Sequence, residues 1–166
     1  RYFLAEIYPL IQRQIPNVSL TITGSTAGVN LPGLRLDSAV HLAGYVPDVR
    51  PLVAGASVCV VPLRQGGGTR IKILEAMALG TPVVSTCKGA EGLDVVDGEH
   101  LLLADDPPDF AQAVLRLLND AGLRQRLATQ ARRLVEEKYD WATIGSAFTT
   151  LVEDTVERGL VHRGRG

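Results

Sequence analysis

Cysteine and aromatic residues are both scarce in this chain. It has two cysteines among 166 residues, and aromatic side chains make up 5% of the sequence. Cys59 lies in an apolar run and Cys87 lies beyond it, without the spacing of a thiolate metal site or the density of a disulfide scaffold. This usage excludes a small disulfide-rich protein and indicates a reducing, cytoplasmic setting.

An excess of charge and a long apolar run are also missing. The formal net charge is -1, so the chain has no overall attraction for nucleic acid or for an anionic membrane. No apolar run approaches the roughly 20 residues that cross a bilayer, and the amino terminus lacks the pattern of a signal peptide. We therefore expect a small-molecule partner and no nucleic acid, with peripheral membrane association only through other parts of a longer protein. Arg1 stands where a helix is predicted to begin, which indicates a piece of such a protein.

The sequence does contain a regular alternation of short apolar runs with helix-length segments. Two of the runs, SVCVVP and PVVST, are nearly continuous, as in strands that are buried on both faces of a parallel sheet. The alternation predicts strands over residues 18–23, 39–43, 57–62, 82–86 and 100–104, and helices over residues 2–15, 48–56, 69–79, 108–119, 122–138 and 140–158.

This order predicts an α/β fold, a Rossmann-like parallel sheet with helices on both faces. Residues 1–158 form the predicted domain and residues 159–166 a flexible tail. In such folds ligands bind beyond the carboxyl ends of the strands.

A glycine loop precedes the third helix. Gly66, Gly67 and Gly68 place no Cβ atom in the approach to the helix, so backbone amides at Gly67, Gly68 and Thr69 can point at an anion near the positive end of the helix dipole. Thr69 is the predicted N-cap. The predicted apolar face of this helix consists of Ile71, Leu74 and Ala78.

Basic residues flank the loop on both sides. Arg64 precedes it, and Arg70 and Lys72 fall in the first helical turn, where each cation opposes the dipole by roughly 0.3 to 1 kcal/mol at an exposed site. Two cations in that turn favour a bound anion such as a diphosphate. The alternative is that these are ordinary surface residues, with Lys72 paired to Glu75.

Glu75 is predicted at the edge of the apolar face of the same helix. A carboxylate there needs a partner, and ribose hydroxyls are suitable donors. The alternative is an ion pair with Lys72 or a contact at the helix end. The loop lacks the third glycine of the dinucleotide fingerprint and the Gly-Lys-Ser/Thr of a triphosphate loop, which disfavours dehydrogenases and kinases.

The run GGGTRIKILEAMALGTPVVST, followed by GAEGL, resembles the signature region of group 1 (family 4) glycosyltransferases. The resemblance extends over nearly the whole chain, through LTITG, HLAGYVPDVRPLVAGASVCVVPL, GEHLLLADDPPDFAQAVLRLLND and YDW. It implies one half of a GT-B fold, in which two Rossmann-like domains face each other across a cleft. This chain resembles the carboxyl-terminal, donor-binding half, so the first strand of the domain and the amino-terminal acceptor domain are expected upstream of Arg1.

The resemblance also implies roles for single residues. The carboxylate that matches Glu75 holds the ribose, and the loop that matches Gly66 to Thr69 wraps the diphosphate and the sugar. Arg70 and Lys72 match basic residues beside the diphosphate.

Two strand ends are implied to border the nucleotide. The turn of Gly44, Tyr45 and Val46 borders the base, and Gly24 permits a close approach of the nucleotide. Gly24 and Gly44 are equally explained as ordinary turn glycines at strand ends.

Position 67 departs from the family pattern. Many members carry a glutamate where this chain has Gly67, so one carboxylate contact to the donor sugar is missing. A non-catalytic interaction domain descended from a transferase is therefore an alternative, and the half of a nucleotide-sugar epimerase is another.

The activity implied is that of a retaining, metal-independent hexosyltransferase that uses a UDP-sugar or GDP-sugar and no cofactor. Arg64, Arg70 and Lys72 would stabilise the leaving diphosphate in place of a metal. Asp105 and Asp106 precede two prolines and are interpreted as a loop or helix-cap pair, not as metal ligands. Catalytic residues on the acceptor side are unknown because they would belong to the amino-terminal domain, and the chain alone is expected to be inactive.

The last helix carries two further predictions. Trp141 is interpreted as a packing anchor that follows an N-cap at Asp140, and the helix over residues 140–158 is expected to reach across to the amino-terminal domain.

Overall fold

The computed structural model describes residues 1–25 and 38–163. The chain begins with a π-helical turn, Phe3–Ile7, which continues into helix α1, Tyr8–Gln14. The later elements are β1 (Leu20–Thr23), β2 (Val40–Gly44), α2 (Arg50–Ala54), β3 (Cys59–Val61), α3 (Ile71–Ala78), β4 (Val83–Ser85), α4 (Cys87–Ala90), β5 (Leu102–Leu103), α5 (Pro107–Asn119), α6 (Ala121–Lys138) and α7 (Trp141–Arg163).

The strands of the described residues form two parallel sheets. In one sheet β1 pairs with β2, and in the other the order is β3-β4-β5. Cys59 lies opposite Val83, and Val84 lies opposite Leu102. Parallel strands joined by helices confirm the predicted α/β class.

Helices cover both faces of the three-stranded sheet. Successive residues of a strand point to opposite faces, and the fully buried neighbours Val83 and Val84 show this on β4. Val84 packs in a cluster with Ile11 of α1 and Phe110 of α5. Val83 packs in a second cluster that draws on α3 and α6: Val61, Ile73, Ala76, Met77, Val83, Ala90, Leu101 and Ala131.

Helix α3 differs from its prediction in start and in orientation. Its N-cap residue is Arg70, one position after the predicted Thr69. The buried side consists of Ile73, Ala76 and Met77, whereas Ile71 is 57% exposed, so the predicted apolar face was wrong. The segment IKILEAMA has apolar residues almost all round its circumference, and packing against β3, β4 and α6 selects the side that is buried.

One short helix was missed, and the last helix is longer than predicted. The four-residue α4 falls where a loop was predicted. Helix α7 continues to Arg163, past the predicted start of the tail at Gly159.

The start of α7 confirms one prediction and overturns another. Asp140 accepts a 2.8 Å hydrogen bond from the amide of Ala142 at the start of α7, as a cap residue does. Trp141 is 84% exposed, so the prediction of a packing anchor was wrong. Within the described ranges, none of the helices combines the length and the apolar character required to span a membrane.

Candidate functional site

The glycine loop follows strand β3 and leads into α3. Gly66 has φ +130° and Gly68 has φ +87°, conformations that residues with a side chain rarely adopt. Gly67 has no such φ, and a Cβ atom built on any of the three glycines would meet no heavy atom within 4 Å. The backbone conformation therefore requires glycine at two of the three positions, and other described parts of the chain leave one side of the loop uncovered.

Arg70 turns back onto the loop. Its side chain is 6% exposed. The Nη1 atom donates to the carbonyl oxygen of Gly67 and the Nη2 atom to that of Gly66, each at 3.3 Å. Nη2 also lies 3.3 Å from Oε2 of Glu91, while Nε is buried without a hydrogen-bond partner in the described residues. The predicted phosphate-contacting cation is thus engaged by the loop itself.

Glu91 joins Arg70 to a second cation. The Nζ atom of Lys88 lies 2.5 Å from the same Oε2 atom. The hydrogen bond from Lys88, with the nearby charges of Lys88 and Arg70, lowers the pKa of the Glu91 carboxyl below its ordinary value. Sequence reasoning missed Glu91, although the GAEGL motif that contains it belongs to the signature region.

Thr86 ties the residues after β4 to the start of the glycine loop. Its hydroxyl donates to the carbonyl oxygen of Leu63 at 2.5 Å and accepts from the amide of Gly89 at 2.9 Å. A Cβ atom on Gly89 would lie 2.4 Å from Oγ of Ser85 and 2.8 Å from the carbonyl oxygen of Val61. Helix α4 therefore packs directly against the end of β3.

Arg64 is held at the first helical turn of the chain. Its guanidinium carbon lies 4.9 Å from the centre of the Tyr2 ring, and the Tyr2 hydroxyl donates to the carbonyl oxygen of Asp105 at 3.2 Å. Burial raises the pKa of the Tyr2 phenol, and the Arg64 charge opposes that rise. In this arrangement Arg64 faces Tyr2, and a contact between Arg64 and a diphosphate stays a prediction.

Lys72 and Glu75 lie exposed on α3. The ion pairs at i, i+3 or i, i+4 in the described residues join Lys88 to Glu91, Arg132 to Glu136 and Arg133 to Glu137, and do not include Lys72 with Glu75. Burial raises the pKa of the Cys59 thiol, and the charge of Lys72 opposes this. Lys72 therefore lies close enough to Cys59, the first residue of β3, for its charge to act on that thiol.

The remaining predicted residues form a second group. The amide of Gly24 donates a 2.8 Å hydrogen bond to the carbonyl oxygen of Gly44, which joins the carboxyl ends of β1 and β2. Both glycines have positive φ, +117° and +65°. Tyr45 is 80% exposed and Val46 is half-buried. This geometry fits a nucleotide edge and an ordinary turn equally well.

The two aspartates before α5 occupy different structural positions. Asp105 accepts a 2.8 Å hydrogen bond from the amide of Cys87, and Asp106 occupies the N-cap position of α5 without a side-chain cap hydrogen bond. Across residues 1–25 and 38–163, no three His, Cys, Asp or Glu side chains gather as metal ligands would.

The fold defines a class of protein. Parallel strands and helices on both faces of a sheet match GT-B glycosyltransferase structures. Residues 1–120 match the family model described as Glycosyl transferases group 1. The chain belongs to this family.

Similar proteins come from several bacteria. The chain is 30% identical over 166 residues to a phosphatidyl-myo-inositol mannosyltransferase of Mycobacterium leprae, covering 94% of this chain and 43% of that relative. Among solved structures, sucrose-phosphate synthase of Thermosynechococcus elongatus aligns with a TM-score of 0.74 and 25% identity over 89% of this chain and 41% of that one. Anabaena HepE in complex with UDP aligns with a TM-score of 0.75 and 18% identity over 90% of this chain and 45% of that one. The chain spans less than half the length of the curated relatives it matches.

Proposed function

We propose that this chain binds the nucleotide-sugar donor of a hexosyltransferase that transfers a sugar to an acceptor hydroxyl. One observation carries the proposal: in a group 1 family member, Lys72 and Glu75 stand exposed and unpaired with each other beside a glycine loop that is uncovered on one side. Charged groups without a mutual partner on the helix that follows such a loop fit a ligand with both an anionic part and hydroxyls.

The diphosphate would lie at the loop and the first turn of α3. Amides of Gly67 and Gly68, the helix terminus and the Lys72 ammonium would stabilise the negative charge that develops on the leaving diphosphate. Glu75, one turn further along the exposed side of α3, would accept hydrogen bonds from the ribose. Arg70 contributes through the loop, and Arg64 would reach the phosphates only by leaving Tyr2.

The donor proposed is a UDP-sugar or a GDP-sugar. HepE, which shares this fold, was solved with UDP, and the name of the mycobacterial relative specifies mannosyl transfer. Retention of anomeric configuration, independence of a metal, a cytoplasmic location and the family 4 subdivision follow from the sequence resemblance and stay predictions.

A second domain would supply the acceptor site. This chain matches 40% of the length of one relative and 43% of another. Among described residues β1, β2, β3 and β5 each have one strand neighbour, which leaves sheet edges with which a further strand from the full-length protein could pair. Helix α7 exposes a row of apolar side chains, at 40% for Ile144, 65% for Phe148, 63% for Leu151, 44% for Val152 and 55% for Val156. We propose that this row packs on the amino-terminal domain, and that the chain alone does not catalyse sugar transfer.

A degenerate interaction domain is the second candidate. Gly67 stands where many family members have a glutamate, and the guanidinium of Arg70 is occupied by carbonyl oxygens of the loop and by Glu91. Such a domain would keep the fold and bind no nucleotide.

Calorimetric titration with UDP and with GDP, with and without magnesium, separates the two candidates. Lys72→Ala and Glu75→Ala should each weaken the binding of one nucleotide by about tenfold, the loss of one charge-assisted hydrogen bond. Lys138→Ala, which removes an exposed lysine at the end of α6 that pairs with Asp94, is the matched control and should leave the affinity unchanged. Failure of the unsubstituted chain to bind either nucleotide would favour the degenerate domain.

A further inference from the structure

Two contacts brace the glycine loop from the residues that follow β4. Thr86 bonds to the carbonyl oxygen of Leu63 before the loop. Glu91 contacts Arg70, which bonds to the carbonyl oxygens of Gly66 and Gly67 within the loop. The first contact is a direct hydrogen bond from a hydroxyl to the backbone. The second is made by the buried guanidinium of Arg70, which contacts both Glu91 and the loop.

The direction of the two carbonyl groups fixes the direction of two amides. No peptide bond in the described residues is cis, and in a trans peptide the C=O and the following N–H point in opposite directions. Because the oxygens of Gly66 and Gly67 point at Arg70, the N–H groups of Gly67 and Gly68 point away from it. Those are two of the amides that would meet the diphosphate.

The orientation of these two amides depends on Arg70 staying buried against the carbonyl groups of the loop. Its side chain is 6% exposed, and burial of a guanidinium is unfavourable unless it has a charged partner and hydrogen bonds. In the described residues Glu91 is the carboxylate in ion-pair contact with Arg70. Without that carboxylate, the guanidinium of Arg70 is more stable in solvent than buried. The carbonyl groups of Gly66 and Gly67 then lose their hydrogen-bond donor.

We propose that Glu91 is a positioning residue of the donor site, which acts through Arg70 to aim the amides of Gly67 and Gly68 at the diphosphate. The proposal rests on the proposed function for the diphosphate. The effect of Glu91 on the conformation of the loop does not require a ligand. Lys88 shares the carboxylate of Glu91 but is itself 42% exposed, and in the described residues its hydrogen-bond partner is Glu91 and not a residue of the loop. Removal of Lys88 therefore leaves the pair of Arg70 with Glu91 in place and serves as the matched control.

The test compares Glu91→Gln with Lys88→Gln in two measurements. The backbone order parameters of Gly67, Gly68 and Thr69, measured by NMR relaxation, should be lower in Glu91→Gln and unchanged in Lys88→Gln. Titration with UDP and GDP should give a Kd raised by about tenfold in Glu91→Gln, as expected when charge-assisted contacts are misaligned, and a Kd within about twofold of the parent in Lys88→Gln.

The outcomes separate the two proposals. If the parent chain binds neither nucleotide, the donor proposal fails and the order parameters of the loop alone decide the role of Glu91. Unchanged loop order parameters in Glu91→Gln, or equal effects of Glu91→Gln and Lys88→Gln, would overturn the positioning role. If Glu91→Gln does not fold, Arg70→Lys decides, because it keeps the charge pair but lacks the fork that reaches both carbonyls. Lower loop order parameters in that variant support the role, and parental values overturn it.

Discussion

The guanidinium of Arg64 stacks on the ring of Tyr2, with 4.9 Å between its carbon atom and the ring centre. An exposed cation–π contact of this kind is worth about 0.5 to 1 kcal/mol. Arg64→Gln and Tyr2→Leu should each lower the free energy of unfolding, measured in urea, and the double variant should lose less than the sum of the single losses because the two residues act as a pair. Tyr2→Phe keeps the ring and is the control. Additive losses would show that the stacking does not contribute.

Gly89→Ala should destabilise the chain. The added methyl group would lie 2.4 Å from Oγ of Ser85 and 2.8 Å from the carbonyl oxygen of Val61, and overpacking of this kind lowers the free energy of unfolding by about 1 to 3 kcal/mol. Gly67→Ala, whose methyl group meets nothing within 4 Å, is the matched control and should change stability little. Equal midpoints in urea for both variants would contradict the tight packing of α4 against β3.

Gly67→Glu should restore the carboxylate that many family members carry. Position 67 has no positive φ and no neighbour within 4 Å of a Cβ atom, so the melting temperature should stay at that of the parent chain. A new charge-assisted hydrogen bond to the sugar would tighten binding of the nucleotide-sugar by about tenfold and leave the affinity for the nucleoside diphosphate unchanged. Equal gains for both ligands in calorimetry would place the carboxylate away from the sugar.

The pKa of Glu91 predicts an acid-dependent contribution to stability. Lys88 and then Arg70 hold this pKa below the ordinary value of 4.5. A carboxyl group whose pKa is lowered by folding stabilises the folded state above its ordinary pKa, and this stabilisation is lost as the pH falls through the lowered value. The difference in unfolding free energy between the parent chain and Glu91→Gln should therefore be largest near neutral pH and shrink below 4.5. Urea titrations across that range would reveal a constant difference if the pair were absent in solution.

The exposed row on α7 should carry little of the stability of this chain. Phe148 is 65% exposed whereas Phe110 is fully buried between α1 and β4. Phe110→Ala should lower the free energy of unfolding by about 3 to 5 kcal/mol, and Phe148→Ser should change it by less than about 0.5 kcal/mol. In a longer protein that contains the amino-terminal domain, Phe148→Ser should become destabilising. A large loss from Phe148→Ser in this chain would show that α7 already packs on it.

The strands could be predicted from the sequence because burial on both faces leaves nearly continuous apolar runs. SVCVVP and PVVST became β3 and β4, three residues and two residues shorter than predicted. The buried side of α3 could not be predicted, since apolar residues surround that helix. The prediction for Trp141 was wrong for a related reason. A large apolar residue at a helix start indicates a packing contact, but the sequence does not show whether the contacting residues belong to this chain.

The need for glycine in the loop could be predicted from the sequence, whereas the contacts of Arg70 could not. Glycines at Gly66 and Gly68 are required by their positive φ, which the triple glycine indicated. The direction of the Arg70 side chain depends on Glu91, 21 residues further along the chain, and no local spacing signals that pair. The helix dipole predicts a bound anion only if the cations near the helix start face solvent. It does not predict a cation whose hydrogen bonds are accepted by the carbonyl oxygens of the loop.

The order of the strands also bears on how the chain reaches its fold. Among the described residues each strand pair joins two strands that follow one another in the sequence, as Leu20 with Val40, Cys59 with Val83 and Val84 with Leu102, while β2 and β3 belong to different sheets. Each pairing closes a stretch of about 20 residues, and the entropy lost in loop closure grows only slowly with such lengths. Contacts of low sequence separation favour rapid folding. The strand pairs can therefore form early, and the contacts that hold the glycine loop involve no residue beyond Glu91.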